Sequence, residues 1–178
     1  MVYDGIIEGK YVNLRSVEEK DAEFTLSLRQ DPILTKYLPK LDITLEQQVN
    51  WIKNQRVKEG DYYFIVENKE GERIGVLGVY DVNENHGETG RIAIVGTAFE
   101  SIEAQLLSFV FSFDILKLDY TVNYVFADNI HALRGSQLFG SKSSEPYEDE
   151  NGNMRIDGVI TKESFLRSKE KLVKMLYR

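Results

Sequence analysis

Glu88-Thr89-Gly90-Arg91-Ile92-Ala93-Ile94-Val95 runs directly into Gly96-Thr97-Ala98-Phe99-Glu100-Ser101, and the reading of these residues decides the fold. Residues 88–95 read as a strand and 96–101 as a short loop. Ile102, Leu106, Phe109, Val110 and Phe113 follow at helical spacing, which gives one broad apolar face. Residues 120–126 return as a strand, and Asn129-Ile130-His131-Ala132 opens another helix over 130–138. Strand, loop, long helix, strand and helix in that order make a crevice of the kind that takes a cofactor.

Working outward, residues 10–15 alternate enough for a first strand. Ser16-Val17-Glu18-Glu19 has the form of a capping box, in which a hydroxyl and a carboxylate each take a free amide at a helix start. The helix it opens carries Phe24, Leu26 and Leu28 and stops near Asp31-Pro32, because proline cannot continue it. Residues 33–39 read as a short helical turn. Thr44-Leu45-Glu46-Gln47 is a second capping box, whose helix has Val49 and Ile52 on one face, Trp51 beside that face, and its end at Gly60. Residues 62–66 and 73–81 are rich in aromatic and β-branched residues, and Lys69-Glu70-Gly71 joins them as a hairpin. Asn151-Gly152 predicts a later hairpin through a type I′ turn, with 154–160 as its second arm. A closing helix presents Phe165, Leu166, Leu172, Val173 and Leu176. Without repeat, low-complexity stretch or linker, one α+β domain over residues 1–178 is the simplest account.

Composition narrows the function. The net charge of −7 makes nucleic acid or an anionic membrane a poor partner, since both need clustered Lys and Arg. The chain has no cysteine and only two histidines, His86 and His131, far apart in sequence, so the residues predict no metal site. The start lacks a basic end followed by an apolar stretch, and no apolar run is long enough to span a bilayer, so the expected location is the cytoplasm. Thr97-Ala98-Phe99-Glu100 reads as a third capping box, able to satisfy the helix amides with the chain's own side chains. No Lys or Arg stands between Ile92 and Leu116.

The order β, α, α, β, β, β, α, β, α, β, β resembles the GNAT family of acyl-CoA-dependent acetyltransferases along nearly the whole chain. The likeness is nearest to the branch of ribosomal-protein N-terminal and amino-sugar acetyltransferases. Gly9-Lys10-Tyr11-Val12-Asn13-Leu14-Arg15 followed by Glu19-Lys20-Asp21-Ala22 is similar to the family's opening strand and helix. Leu28-Arg29-Gln30-Asp31-Pro32 with Tyr37-Leu38, and then residues 47–52, resembles the amino-sugar branch. Ile74-Gly75-Val76-Leu77-Gly78 resembles the third strand, and Glu103-Ala104-Gln105-Leu106-Leu107 the central helix. Phe126-Ala127-Asp128-Asn129-Ile130-His131-Ala132-Leu133 is the best single match.

This resemblance implies a mixed, mostly antiparallel central sheet flanked by helices, with two splayed strands forming the crevice for acetyl-CoA, and no metal. It places Ile92, Ala93, Ile94 and Val95 on the cofactor edge, Gly96, Thr97, Ser101 and Ile102 around the pyrophosphate loop, and Asn129 and Ala132 beside the cofactor. Asn129 also suits a helix N-cap. The family's loop usually carries glycines where this chain has Phe99 and Ser101, and Glu100 and Glu103 add negative charge there. Ser136 falls where many members place a proton-donating tyrosine; packing at the helix end is the equal alternative. Glu88 is the implied general base, with a solvated strand end as its plainer reading. Arg29, Tyr37, Trp51 and Tyr80 are candidates to hold the acceptor, although burial against the helix accounts for Trp51 more simply. The implied reaction is acetyl transfer from acetyl-CoA to a primary amine, of a nucleotide-linked amino sugar or of a protein N-terminus. A non-catalytic binding or regulatory module without CoA binding stays open as the alternative. So do the oligomeric state, a homodimer included, and pairing of the last hairpin with a second subunit.

Overall fold

The computed structural model describes residues 1–38 and 40–177. Among them, nine strands form one sheet in the order β1-β2-β3-β4-β5-β6-β9-β7, with β8 also paired to β9. The strands are β1 (Ile6–Glu8), β2 (Val12–Ser16), β3 (Tyr62–Asn68), β4 (Arg73–Tyr80), β5 (His86–Ile94), β6 (Tyr120–Phe126), β7 (Lys142–Ser143), β8 (Tyr147–Glu148) and β9 (Met154–Thr161). Every pairing is antiparallel except β5 with β6. The helices are α1 (Ala22–Gln30), α2 (Leu45–Val57), α3 (Ala98–Val110), α4 (Ile130–Leu138) and α5 (Lys162–Leu176). This is the α+β architecture expected, with helices on both faces.

Strand β3 shows why both faces are covered. Its side chains alternate, so Phe64 and Val66 join Leu14, Leu77, Val79, Leu107 and Phe111 under α3. Tyr63 and Ile65 join Val17, Ala22, Leu28, Ile52, Val76 and Ala93 under α1 and α2. A third cluster ties α3 to α5 and β9 through Leu106, Phe109, Phe113, Phe139, Ile160, Phe165, Leu172 and Leu176. The apolar stripe read from the sequence to Phe113 continues past α3 as a wider π-helical turn, Phe111–Ile115, with Phe111 and Phe113 fully buried.

Several local expectations change. A strand, β1, precedes the expected first strand. Ser16 does not cap a helix: its hydroxyl bonds the backbone of Tyr3. The capping box sits two residues later, between Glu18 and Asp21. Burial works against a charge on Asp21, yet Arg15 and Arg73 hold its carboxyl below the usual carboxylate range. Residues 32–37 form turns anchored by Asp31, and Pro39 lies outside the described residues. Leu166 is exposed. In the last hairpin only Gly152 has positive φ, at 77°. Gly152 N–H bonds the Asp149 carbonyl, so this is a turn closed by a left-handed glycine, not the two left-handed residues of type I′. No helix among the described residues is long and apolar enough to cross a membrane.

Candidate active site

The crevice arises from how β5 begins and how it continues. β5 pairs with β6 only at His86–Tyr120, Gly87–Thr121 and Glu88–Val122, and beyond Glu88 the two strands part. On its other side β5 follows β4 to Ile94, through an irregularity between Val76 and Gly78. There Arg91 takes φ 54°, a left-handed conformation that a non-glycine residue holds only when its surroundings compel it. The Val95 amide bonds the Ile74 carbonyl at 2.8 Å. In an antiparallel ladder this makes Ile94–Gly75 a pair without mutual bonds, so the Ile94 amide and carbonyl point away from β4, into the V. Of the four expected edge residues, Ile94 thus offers its backbone to the crevice. Ala93 is buried under α1 and α2, Val95 gives its amide to β4, and Ile92 is exposed.

Glu88 stands at the apex of this V. Tyr80 lies opposite it on β4, and its hydroxyl donates to the Glu88 carboxylate at 2.5 Å. Burial raises the carboxyl above the usual range; the Tyr80 bond pulls it back, and the Asp81 charge adds to the rise. Tyr80 itself is held protonated by burial and by Glu88. Over the Tyr80 ring, 4.0 Å from its centre, lies the Arg91 guanidinium, which also faces Trp51 at 5.7 Å. Asp61, almost fully buried, fixes that guanidinium through two bonds of 2.7 and 3.1 Å. Burial opposes the charge on Asp61, yet Arg91, Gln55 and Lys58 hold its carboxyl low. Trp51 is 38% exposed, which corrects the expectation of burial, and it meets Tyr63 edge-on at 5.2 Å. Burial pushes the Tyr63 phenol up to about 12. Arg29 is lowered by burial and by the Arg91 charge, with Tyr63 nearby. Arg29, Trp51 and Tyr80 therefore gather around Arg91.

Tyr37 does not join them. Its hydroxyl meets Asp128 at 3.3 to 3.4 Å and its ring packs on Phe126 at 6.0 Å. It lines an open cleft of about 730 Å³ between the 32–37 turns, the end of β6 and the Gly152 hairpin.

The loop before α3 is closed in part over its own amides, as the sequence predicted. The Glu100 carboxylate accepts from the Thr97 amide and hydroxyl at 2.7 and 2.8 Å, and the Thr97 hydroxyl accepts from the Glu100 amide at 3.3 Å. Ser101 gives its amide to the Thr97 carbonyl. The Ala98 and Phe99 amides stay outside this box. Phe99 rests on Tyr11 at 5.7 Å, and Ile102 packs inward on the α3–α5 cluster. Glu103 overturns its reading as a charge in the loop. It is fully buried and accepts from the Lys10, Tyr11 and Val12 amides and from the Tyr177 hydroxyl. Asn129 caps α4, its side-chain oxygen Oδ1 accepting from the Ala132 amide at 3.1 Å. The Ser136 hydroxyl donates to the Leu133 carbonyl at 3.0 Å, so it is engaged within its own helix.

Arg91, Asp61 and Tyr124 escaped the sequence reading. Gly90 inside a strand was the available signal, because such a glycine marks a bulge or a close approach. Tyr124, 49% exposed on β6, shares its face with Val122, the register partner of Glu88. No group of three or more His, Cys, Asp or Glu side chains able to hold a metal occurs among the described residues.

An open edge at Ile94 suits an amide-bearing pantetheine arm, whereas the capped loop offers a pyrophosphate fewer amides than a glycine loop does. The profile of the family described as "Acetyltransferase (GNAT) domain" matches residues 12–134. The chain is 25% identical over 127 residues to acetyltransferase PseH of Campylobacter jejuni, covering 70% of this chain and 79% of that protein. Among solved structures, apo FdhC, described as a nucleotide-linked sugar GNAT, superposes with TM-score 0.84 at 24% identity, covering 98% of this chain and 99% of that one. Spermidine N-acetyltransferase from Vibrio cholerae, in complex with CoA and spermine, gives TM-score 0.81 at 18% identity, covering 89% and 99%. The splayed β5–β6 pair and the profile match across most of the chain place this protein in the GNAT family of acetyltransferases.

Proposed function

We propose that residues 1–178 form one catalytic domain that moves the acetyl group of acetyl-CoA to a primary amine, with a nucleotide-linked amino sugar as the acceptor. The observation that carries this reading is the V itself: strands that pair through Glu88, a carboxylate of raised pKa, and then part, leaving the Ile94 amide and carbonyl open further along β5. Bound acetyl-CoA supplies an activated thioester. Glu88 takes the proton of the acceptor ammonium, so the neutral amine can form the new C–N bond as the C–S bond breaks. Water on the α4 side takes the second proton from that nitrogen and returns one to the departing sulfur, because the Ser136 hydroxyl is engaged with Leu133. The exposed ring of Tyr124 on β6, with the paired rings of Phe126 and Tyr37 at the end of that strand, lines the acceptor face and suits a sugar or a base. The likeness to FdhC, described as a nucleotide-linked sugar GNAT, supports the sugar-nucleotide acceptor; the likeness to spermidine acetyltransferase makes a polyamine the competitor to test.

The test is thermal unfolding with acetyl-CoA, followed by mass spectrometry of a UDP-linked amino sugar, spermidine and an N-terminal peptide. A ligand at 100 times its Kd stabilises the folded state by about 2.7 kcal/mol, so Tm rises by several degrees. Acetylation of the sugar nucleotide ahead of the other two is the expected product result.

One observation favours a second reading, a binding module without CoA affinity: Thr97 and Glu100 already satisfy two amides of the loop. No change in Tm at millimolar acetyl-CoA decides for that reading. Glu100→Ala separates the two further. Losing the Glu100 half of the capping box, with the Thr97 cap kept, costs about 0.3–1 kcal/mol of stability, while freeing the Thr97 amide and deleting a negative charge at a helix N-terminus tightens acetyl-CoA by roughly 2- to 5-fold. Equilibrium unfolding and calorimetric titration read both effects; weaker binding in the variant removes the cap as the obstacle.

A further inference from the structure

The Asp61–Arg91–Tyr80 array ends on Glu88, and we infer that Tyr80 is a positioning residue for the catalytic base rather than a contact for the acceptor. This rests on Glu88 being the base. The array is built from three parts of the sheet. Asp61 precedes β3 and clamps Arg91 with both carboxylate oxygens. Arg91, in its left-handed bulge on β5, lays the guanidinium on the Tyr80 ring of β4. The Tyr80 hydroxyl then donates to Glu88 Oε1 on β5. A ring held on one face by a fixed cation and at its hydroxyl by a carboxylate has little freedom left.

Gly90 completes the arrangement. A Cβ at that position would stand 2.6 Å from the Tyr80 hydroxyl oxygen, too close for the phenol to stay where it is. Gly90 has an ordinary backbone conformation, since it is absent from the left-handed glycines at 60, 71, 140 and 152. Space for the phenol, rather than backbone freedom, is therefore what a side chain there would take away.

The array gives Glu88 two properties that a base needs. Its carboxylate is aimed by a donor that gives one hydrogen bond and carries no charge. Its proton affinity is balanced, because burial and Asp81 raise it while the phenol and Arg91 lower it, with Tyr124 facing it from β6. Removing the phenol hydroxyl takes away a bond that favours the ionised form.

The experiment compares kcat/KM against pH for the wild-type protein, Tyr80→Phe, Gly90→Ala and Glu88→Gln. Tyr80→Phe moves the acidic limb to higher pH, lowers the rate most below that limb, and recovers toward wild type above it. Gly90→Ala, which keeps the hydroxyl but displaces it, gives a shift of the same sign. In a Glu88→Gln background, Tyr80→Phe has no further effect on the pH profile. A Tyr80→Phe protein whose KM for the amine rises at every pH, with the limb unmoved, overturns the inference and returns Tyr80 to the acceptor site. A Glu88→Gln protein with full activity overturns the assignment of the base itself, a different failure with a different signature. A uniform fall in rate that tracks a fall in Tm reduces Tyr80 to a packing role and equally overturns the inference.

Discussion

Glu103→Ala lowers the stability of this protein by about 3–5 kcal/mol, because several donors lose their shared acceptor and each one left unsatisfied costs about 1–3 kcal/mol. The Glu103 carboxylate is fully buried and takes the amides of three consecutive residues, Lys10, Tyr11 and Val12, at 2.6 to 2.9 Å, together with the Tyr177 hydroxyl. It therefore joins the β1–β2 turn, α3 and the end of α5 through one side chain. An alanine leaves those amides with no acceptor unless water enters. For a chain of this size each kcal/mol moves Tm by roughly 2–4 °C, so the midpoint falls by about 6–20 °C. Glu103→Gln is milder, because one carbonyl oxygen remains, but its amide group turns donors toward donors. Urea unfolding measures both, and a loss below about 1 kcal/mol for the alanine variant means that water replaces the carboxylate.

Glu88→Gln lowers kcat/KM by about 10²- to 10⁴-fold, the usual contribution of a positioned general base. Glutamine keeps the size of the side chain and can accept the Tyr80 hydrogen bond through its carbonyl oxygen, so the fold is retained while the proton acceptor is lost. The pH profile carries the sharper signature. A base works only when ionised, and burial raises the Glu88 carboxyl above the ordinary range. Wild-type activity therefore climbs with pH through that raised value, and the glutamine variant lacks this limb. Activity within about threefold of wild type would falsify the role of Glu88, and the proton would then pass directly to water.

These two carboxylates show where sequence reading stops. Strand position and resemblance both single out Glu88, and the structure sets it where β5 and β6 part, against the Tyr80 hydroxyl. Glu103 reads from sequence as a charge at the loop, because nothing within a few residues reveals the β1–β2 turn that folds onto it from 91 to 93 positions away. Capping boxes divide in the same way. Those at Thr44 and Thr97 formed as read, since both partners lie within one helical turn. Ser16 failed because the backbone of Tyr3, on the preceding segment, took its hydroxyl first. Trp51 was read as buried from the apolar face beside it, yet it stays partly open above Tyr63 and beside Arg91.

By itself the sequence determined the main strands and helices from residue 10 to 138, the α+β class, the capped and glycine-poor loop at Thr97, and the resemblance to an acetyltransferase family. The elements and the capped loop rest on periodicity, capping and turn chemistry, which act over one or two turns of chain, while the mostly antiparallel sheet is what the resemblance implies. Tertiary structure alone decided that β5 and β6 part just past Glu88, that Ile94 turns its backbone into the opening, and that Asp61 reaches 30 residues along the chain to hold Arg91 over Tyr80. Those features depend on which distant groups are brought together and dried, and a buried bond or ion pair gains its strength only after the whole sheet has closed around it.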